Sequence, residues 1–212
     1  MAGRGLKKAK YNSIDNSTKK YKTLTDSKVS VLEQIIESKF APEYNSAELY
    51  ADDILTESDY SFKKGTLSLV VGNDKDSICA ELLGNNISED NEVTSNINDT
   101  APEFGFGHIV PKIVNGEKAY KVEFFPRIKF TKITSDRKTK GESTEFATTN
   151  IEATVFPLSE SINGLKEGDW EKHKTFKTET EAESYLDNLL TPVTEQQKIS
   201  NLIHKEGVKN DK

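Results

Sequence analysis

One stretch of this sequence alternates for longer than an ordinary strand. From Ala119 to Ile133, apolar and charged residues interleave over 15 residues. Tyr120, Val122, Phe124, Pro126, Ile128 and Phe130 share one side; Lys121, Glu123, Arg127 and Lys129 share the other, with Phe125 as the exception. At ~3.3 Å per residue this run is about 50 Å long, well beyond the ~17–20 Å of a common strand. Ile109–Val114 approaches it across Asn115-Gly116, a pair that tolerates positive φ at both centres of a tight turn. The pattern predicts one long β-hairpin. Pro111 and Pro126 cannot donate to a ladder, so each marks a bulge, a bend or an edge.

The rest reads as mainly β. Val29, Val31 and Ile35 alternate with Ser30 and Gln34, and Leu32 and Ile36 break the pattern. Phe62–Val71 places Leu67, Leu69 and Val71 on one face, and Thr149–Pro157 turns Ile151, Ala153 and Val155 inward. Two helices interrupt the strands. Asp74–Gly84 begins with acids and ends in glycine, which suits the helix dipole and the C-cap. Thr178–Leu190 opens on a Thr178/Glu181 capping box and carries a stripe of Ala182, Tyr185, Leu186 and Leu189. Trp170 is expected as a packing anchor beneath this last helix. Residues 85–103 read as a long acidic loop and 135–144 as a polar hairpin tip. The expected fold is a β-sandwich with one or two flanking α-helices and a long hairpin. It occupies residues 1–191, with an N-terminal arm and long loops. Residues 192–212 are expected as a C-terminal extension, with a weak helical pattern at Ile199, Leu202 and Ile203.

Leu, Ile, Val and Phe make up 24% of the chain, enough for a core, but the wider apolar class is only 34%. No apolar run nears the ~18 residues of a membrane span, so no membrane role is expected. The basic N-terminus lacks the apolar stretch of a signal peptide. Cys79 is the single cysteine, which excludes an internal disulfide framework and a Cys-rich zinc module.

Charge is segregated. Residues 1–22 carry seven bases and one acid, residues 33–103 carry 16 acids and four bases, residues 108–140 nine bases and three acids, and residues 141–191 11 acids and four bases. Complementary blocks let copies attract one another, and heterologous contacts between unlike patches close rings or grow filaments. The net charge of -6 is unlike that of a nucleic-acid binder.

Catalytic motifs are missing. There is no G-x-S-x-G, no P-loop and no dinucleotide fingerprint; Gly105-Phe106-Gly107 opens a strand instead of a helix. His108, His173 and His204 form no metal-ligand spacing, and Cys79 lies beside Ile78 as a small core residue. Asp52-Asp53 is the best carboxylate pair, but adjacent acids on a strand face opposite sides. The sequence argues against an enzyme and implies no cofactor or metal.

An ordered series of segments resembles a known family. It comprises Gly5-Leu6-Lys7-Lys8-Ala9-Lys10-Tyr11, Glu48-Leu49-Tyr50-Ala51-Asp52-Asp53 and Gly65-Thr66-Leu67-Ser68-Leu69 before a short helix. It continues through Glu103–Gly107, the Asn115-Gly116 hairpin, Phe124–Phe130, Ile151–Leu158 and the final helix. Over roughly residues 5–191 the chain resembles the major tail proteins of long, non-contractile-tailed bacteriophages, the phi13-type family; residues 192–212 depart from the pattern. The resemblance implies a tail-tube fold and hexameric rings whose strands join between subunits, stacked into a hollow tube in the virion tail and assembled in the host cytoplasm. Double-stranded DNA would pass through without sequence-specific binding. Tape-measure, distal-tail and tail-terminator proteins would be partners. Tyr50, Ala51, Asp52 and Asp53 match a family motif, with a role in folding or ring contact. DNA repels an acidic wall, so a lumen face drawn from residues 33–103 is expected to be net acidic. Two other classes stand beside this one: a non-catalytic adhesion or receptor-binding β-sandwich, and a hydrolase in which His108 and Asp52 converge.

Overall fold

The computed structural model describes residues 5–24, 28–51, 54–72, 75–136 and 148–192. Within these the order is β1 (Lys7–Ser13), β2 (Ser30–Leu32), β3 (Ile35–Ala51), β4 (Ile54–Val71), α1 (Asp76–Leu83), β5 (Asn86–Ile87), β6 (Val93–Thr94), β7 (Glu103–Val114), β8 (Glu117–Asp136), β9 (Thr148–Val155), β10 (Lys172–Phe176) and α2 (Glu179–Leu190). The protein is mainly β, with two helices and the expected long hairpin, β7–β8. Asn115 and Gly116 form its turn with φ of 51° and 86°, the doubly positive geometry their identities allow.

Eight strands form one antiparallel sheet in the order β2-β1-β7-β8-β9-β4-β3, with β10 paired to β8. The first and last strands of that order are joined by only Glu33 and Gln34, so the sheet must curl until its ends meet. Gly72 N–H donates to the Gln34 carbonyl at 2.9 Å at this corner. The stretch 29–36, expected as a single strand, is therefore a strand, a turn and the start of another. The break at Leu32 and Ile36 marks the corner. The expected sandwich is a single curled sheet whose enclosed face carries Ala9, Tyr11, Leu32, Leu67, Leu69, Val71, Phe104, Phe106, Phe125, Ile128, Phe130, Ile151, Ala153 and Val155, with Leu82 from α1.

β8 does not keep one face inward. Phe104 pairs with Ile128 but Phe106 pairs with Phe125, so three steps on β8 oppose two on β7. The extra residue is a bulge at Pro126-Arg127, and side-chain parity flips across it. The alternating set from Tyr120 to Phe130 is therefore split. Phe125, Ile128 and Phe130 enter the enclosed core, and Val122 and Phe124 point outward to a second core beneath α2, with Tyr120 packed against it. A further irregularity between Phe130 and Lys132, opposite β9, returns Ile133 to the inside. Pro126 and its neighbours are held tightly. Tyr21 Oη donates to the Pro126 carbonyl at 2.9 Å, and the Arg127 guanidinium grips Glu103 at 2.6 and 3.0 Å.

α2 starts where Thr178 Oγ1 accepts from Glu181 N–H at 3.3 Å, and it buries Ala182, Leu186, Leu189 and Leu190. Gly107 makes room for it, since a β-carbon there would lie 2.5 Å from Leu186 Cδ1. α1 ends at Gly84, whose φ of 74° is the left-handed C-cap. The N-terminal segment departs from the expected arm. From Lys7 onward it is a strand inside the sheet, and Ala9 and Tyr11 are buried.

Leu186 is fully buried at the centre of the α2 contact. Leu186→Ala is expected to lower stability by about 2–5 kcal/mol through lost transfer energy and residual cavity, read as a drop in the urea midpoint.

Candidate functional site

The longest paired element is a ribbon that the sequence reading did not find. β3 has 17 residues and β4 has 18, and they pair from Ile35↔Val71 to Ala51↔Ile54. β9 joins β4 only from Gly65 to Val71. Beyond Gly65 the ribbon has two strands, and among the described residues β3 pairs with β4 alone. A two-stranded ribbon is marginal in water and presents unpaired N–H and C=O groups along its edges. This is a surface that a neighbouring strand can complete.

Tyr50 and Ala51 close the ladder at the far end of this ribbon, paired with Leu55 and Ile54. Asp52 and Asp53 lie outside the described residues, as do the 137–144 part of the polar tip and residues 193–212, His204 among them. Asn115 and Gly116 occupy the other hairpin. β8 and β9 run antiparallel and so do β4 and β9, which puts the β3–β4 turn at the same end of the sheet as the β7–β8 turn.

An aromatic stack holds the ribbon's base. The Trp170 indole lies 4.2 Å from the Phe62 ring at an interplanar angle of 9°, and 5.6 Å from Phe40. Phe40 in turn contacts Phe125 in the enclosed core at 4.9 Å and covers Gly65, where a β-carbon would lie 2.3 Å from its ring. Trp170 is thus an anchor, as expected, but beneath the ribbon and not beneath α2. Pro42, opposite Gly65, interrupts the β3 edge by removing one donor. Tyr44 and Tyr60, further out, are 52% and 64% exposed, more than a folded ribbon's own packing calls for.

One side of the sheet stays open. α2 packs on the outer side of β1, β7, β8 and β10, while α1 packs against β8 with Leu82 in the enclosed core. On β3, β4, β9 and the second half of β8, the residues facing away from the core form registered rows. One runs Lys39, Ser68, Glu152, Lys132, and the next Ala41, Thr66, Thr154, Lys129. The rows are polar and of mixed charge.

Part of the segregated charge is satisfied inside the chain. Lys7 reaches Glu179 at 2.9 Å, Lys8 reaches Glu183 at 3.5 Å, and Lys10 reaches Glu183 at 2.9 Å and Asp187 at 2.6 Å. Consecutive strand residues would face opposite ways. Lys8 has a φ of 52° and the register shifts there, which lets all three lysines address one helix. Burial opposes the charge on Lys10, but its bonds to Asp187 and Glu183 raise its pKa overall.

The buried polar group closest to catalytic chemistry is His108. Its Nε2 lies 3.3 Å from Glu123 Oε2, and Lys121 Nζ lies 2.6 Å from Glu123 Oε1. His108 Nδ1 is buried with no hydrogen-bond partner among the described residues. His173 pairs in register with Glu123 but is 61% exposed at its side chain. Among the described residues no group of three or more His, Cys, Asp or Glu is arranged to hold a metal ion, and no helix is long and apolar enough to cross a membrane. No family model matches this chain, and a search of curated proteins finds no relative.

The sequence offered one missed signal for the ribbon. Glu43–Ser61 carries neither helix periodicity nor a cluster of Gly, Pro or Asn turns, and a strand with no core to face shows no alternation.

Two tests follow from these contacts. Trp170→Ala is expected to increase amide exchange along the described parts of β3 and β4 outward of Phe40 and Phe62, while lowering the melting midpoint less than Leu186→Ala does. Equal loss of protection across the whole sheet would contradict a local anchor. The His108 bond lowers the Glu123 pKa, burial opposes it, and Lys121 lowers it further, giving about 2 against an ordinary 4.5. Folded Glu123 is therefore the stronger acid. Its contribution is complete above the ordinary value and disappears as pH falls toward about 2. Glu123→Gln should flatten the stability difference between about pH 6 and about pH 3 relative to wild type, measured as urea midpoints.

Proposed function

We propose that this chain is a structural subunit of the tail tube of a long, non-contractile-tailed bacteriophage, assembling as hexameric rings that stack around a bore for double-stranded DNA. The carrying observation is the β3–β4 ribbon, two strands of 17 and 18 residues that only seven residues of β9 extend into the sheet. Such a ribbon gains most when another chain supplies the missing neighbour, and closure into a barrel removes exposed edges altogether. The ordered resemblance over residues 5–191 supplies the specific identity of the assembly.

In this reading the open sheet face faces the bore. Its rows carry Lys39, Glu152, Lys129 and Lys132 among Thr and Ser, with Glu37 beside them, so this face has mixed charge where the sequence suggested an acidic one. Scattered bases separated by hydroxyls give the phosphate backbone no continuous cationic track, and retention of DNA grows with the number of phosphates neutralised. The motif residues Tyr50 and Ala51, at the ribbon's end, contact a neighbouring subunit. Tape-measure, distal-tail and terminator proteins meet the ends of the tube.

The exposed Tyr44 and Tyr60 also suit the second reading, a receptor-binding module, because aromatic side chains on a projecting ribbon are common contact residues. Electron microscopy of concentrated protein separates the two. Hollow tubes or rings with a sixfold end view are expected. Particles that stay monomeric even on preformed tail tips would overturn the tube reading.

A further inference from the structure

The two ends of β7 carry opposite, unpaired charge, and each presents an exposed isoleucine. β7 has 12 residues, about 40 Å at ~3.4 Å per residue. Its N-terminal end follows the loop 85–102. Glu89, Asp90 and Glu92 of that loop have no side-chain partner among the described residues. Ile97 in the same loop is 98% exposed, held in a turn where Asn96 N–H donates to Asp99 Oδ2 at 2.7 Å and Asn98 N–H to Asn96 Oδ1 at 2.9 Å. The opposite end is the β7–β8 tip. There a pocket of about 230 Å³ is lined by Pro111, Ile113, Ala119 and Tyr120 together with Lys112 and Lys118. Lys7 also lines it but is held by Glu179, whereas Lys112 and Lys118 have no partner among the described residues. Glu117, the acid of the tip, is not in the lining.

We propose that the Ile97 loop of one copy seats in the Lys112/Lys118 pocket of the next, joining copies head to tail along the β7 direction. The pocket lies below the roughly 300–1,000 Å³ of a small-molecule site and far above the ~30 Å³ of a water, a volume suited to a side chain. The acids around Ile97 meet the lysines that nothing within the chain neutralises. An apolar residue entering a pocket elsewhere on an identical molecule makes a contact that repeats without closing, which extends a filament. The inference rests on the tube reading and names the joint between its rings; contacts within a ring use other surfaces.

The test compares wild type with Ile97→Asp, with the pair Lys112→Glu and Lys118→Glu, and with a charge-exchanged chain carrying that pair together with Glu89→Lys and Asp90→Lys. Glu89, Asp90, Ile97 and Lys118 are exposed and Lys112 is half-buried, and circular dichroism checks that each variant folds. Sedimentation and electron microscopy measure the protein concentration at which rings stack into tubes. The first two variants should form rings but need roughly tenfold more protein or more to stack, because the lost contact repeats on every subunit of a ring. The exchanged chain should stack again near the wild-type concentration, and wild-type stacking should weaken with added salt. Unchanged stacking in the first two variants overturns the joint and leaves the tube reading intact. Loss of rings along with tubes also overturns it, because the contact would then lie within a ring. Wild-type protein that forms neither rings nor tubes overturns the tube reading, and the joint with it.

Discussion

The bulge at Pro126-Arg127 decides how this chain is built. A regular strand has one inner face and one outer face for its whole length. By changing parity midway, β8 gives Phe124 to the α2 contact and Phe125, Ile128 and Phe130 to the enclosed core. One strand thus ties together two hydrophobic clusters that lie on opposite sides of the sheet. The device needs its free carbonyl and its extra residue to be satisfied, and Tyr21, Glu103 and Phe156 do this. Tyr21 donates to Pro126, Glu103 takes the guanidinium, and Phe156 N–H donates to the Arg127 carbonyl at 2.9 Å while its ring lies 5.6 Å from the guanidinium. Glu103 is held ionised by the Arg127 bond despite partial burial.

Charge in this molecule is of two kinds, and the difference bears on assembly. The basic start of β1 and the acidic face of α2 are complementary in sequence, and the fold joins them, with Lys10 nearly buried between Glu183 and Asp187. Such a pair is weak evidence of added stability, because desolvation offsets much of the attraction. Its clearer effect is to withdraw those blocks from partner recognition. Among the described residues, Glu89, Asp90 and Glu92 before β7 and Lys112 and Lys118 at the β7–β8 tip have no ion-pair partner within the chain. The charge blocks of the sequence are thus not equivalent: one basic block is neutralised within the chain, and the lysines of the β7–β8 tip are not.

Much of the interior was legible from pattern. Leu67, Leu69 and Val71 on β4 and Ile151, Ala153 and Val155 on β9 alternate because one face is buried, and all six are buried. Asn115-Gly116 and Thr178 declared a turn and a cap through local chemistry that tertiary packing had no reason to override. The ribbon did not show. Residues 43–61 carry no regular apolar period, and no motif marks the pairing of their two halves. The split of β8 was half visible. Phe125 stood out of register and Pro126 marked a bulge, yet only the register against β7 tells which way each phenylalanine turns. The candidate surface was therefore the least readable part, since a ribbon paired on one side only leaves little alternation in its sequence.

The same reasoning separates folding from assembly. The curled sheet and its two cores hold β1, β7, β8, β9 and the inner part of β4 together through burial of phenylalanines and aliphatic side chains, each worth ~1.5–3 kcal/mol. At the ribbon's base, Phe40, Phe62 and Trp170 make the link to the enclosed core. The ribbon's length adds ordering cost for each residue fixed, about 1–2 kcal/mol in backbone entropy alone, against one ladder and few buried contacts. A chain that keeps such a segment extended holds it near the limit of independent stability. The stack of Trp170 on Phe62 then has a distinct role: it ties the ribbon's base to the body and fixes the direction in which the ribbon leaves it.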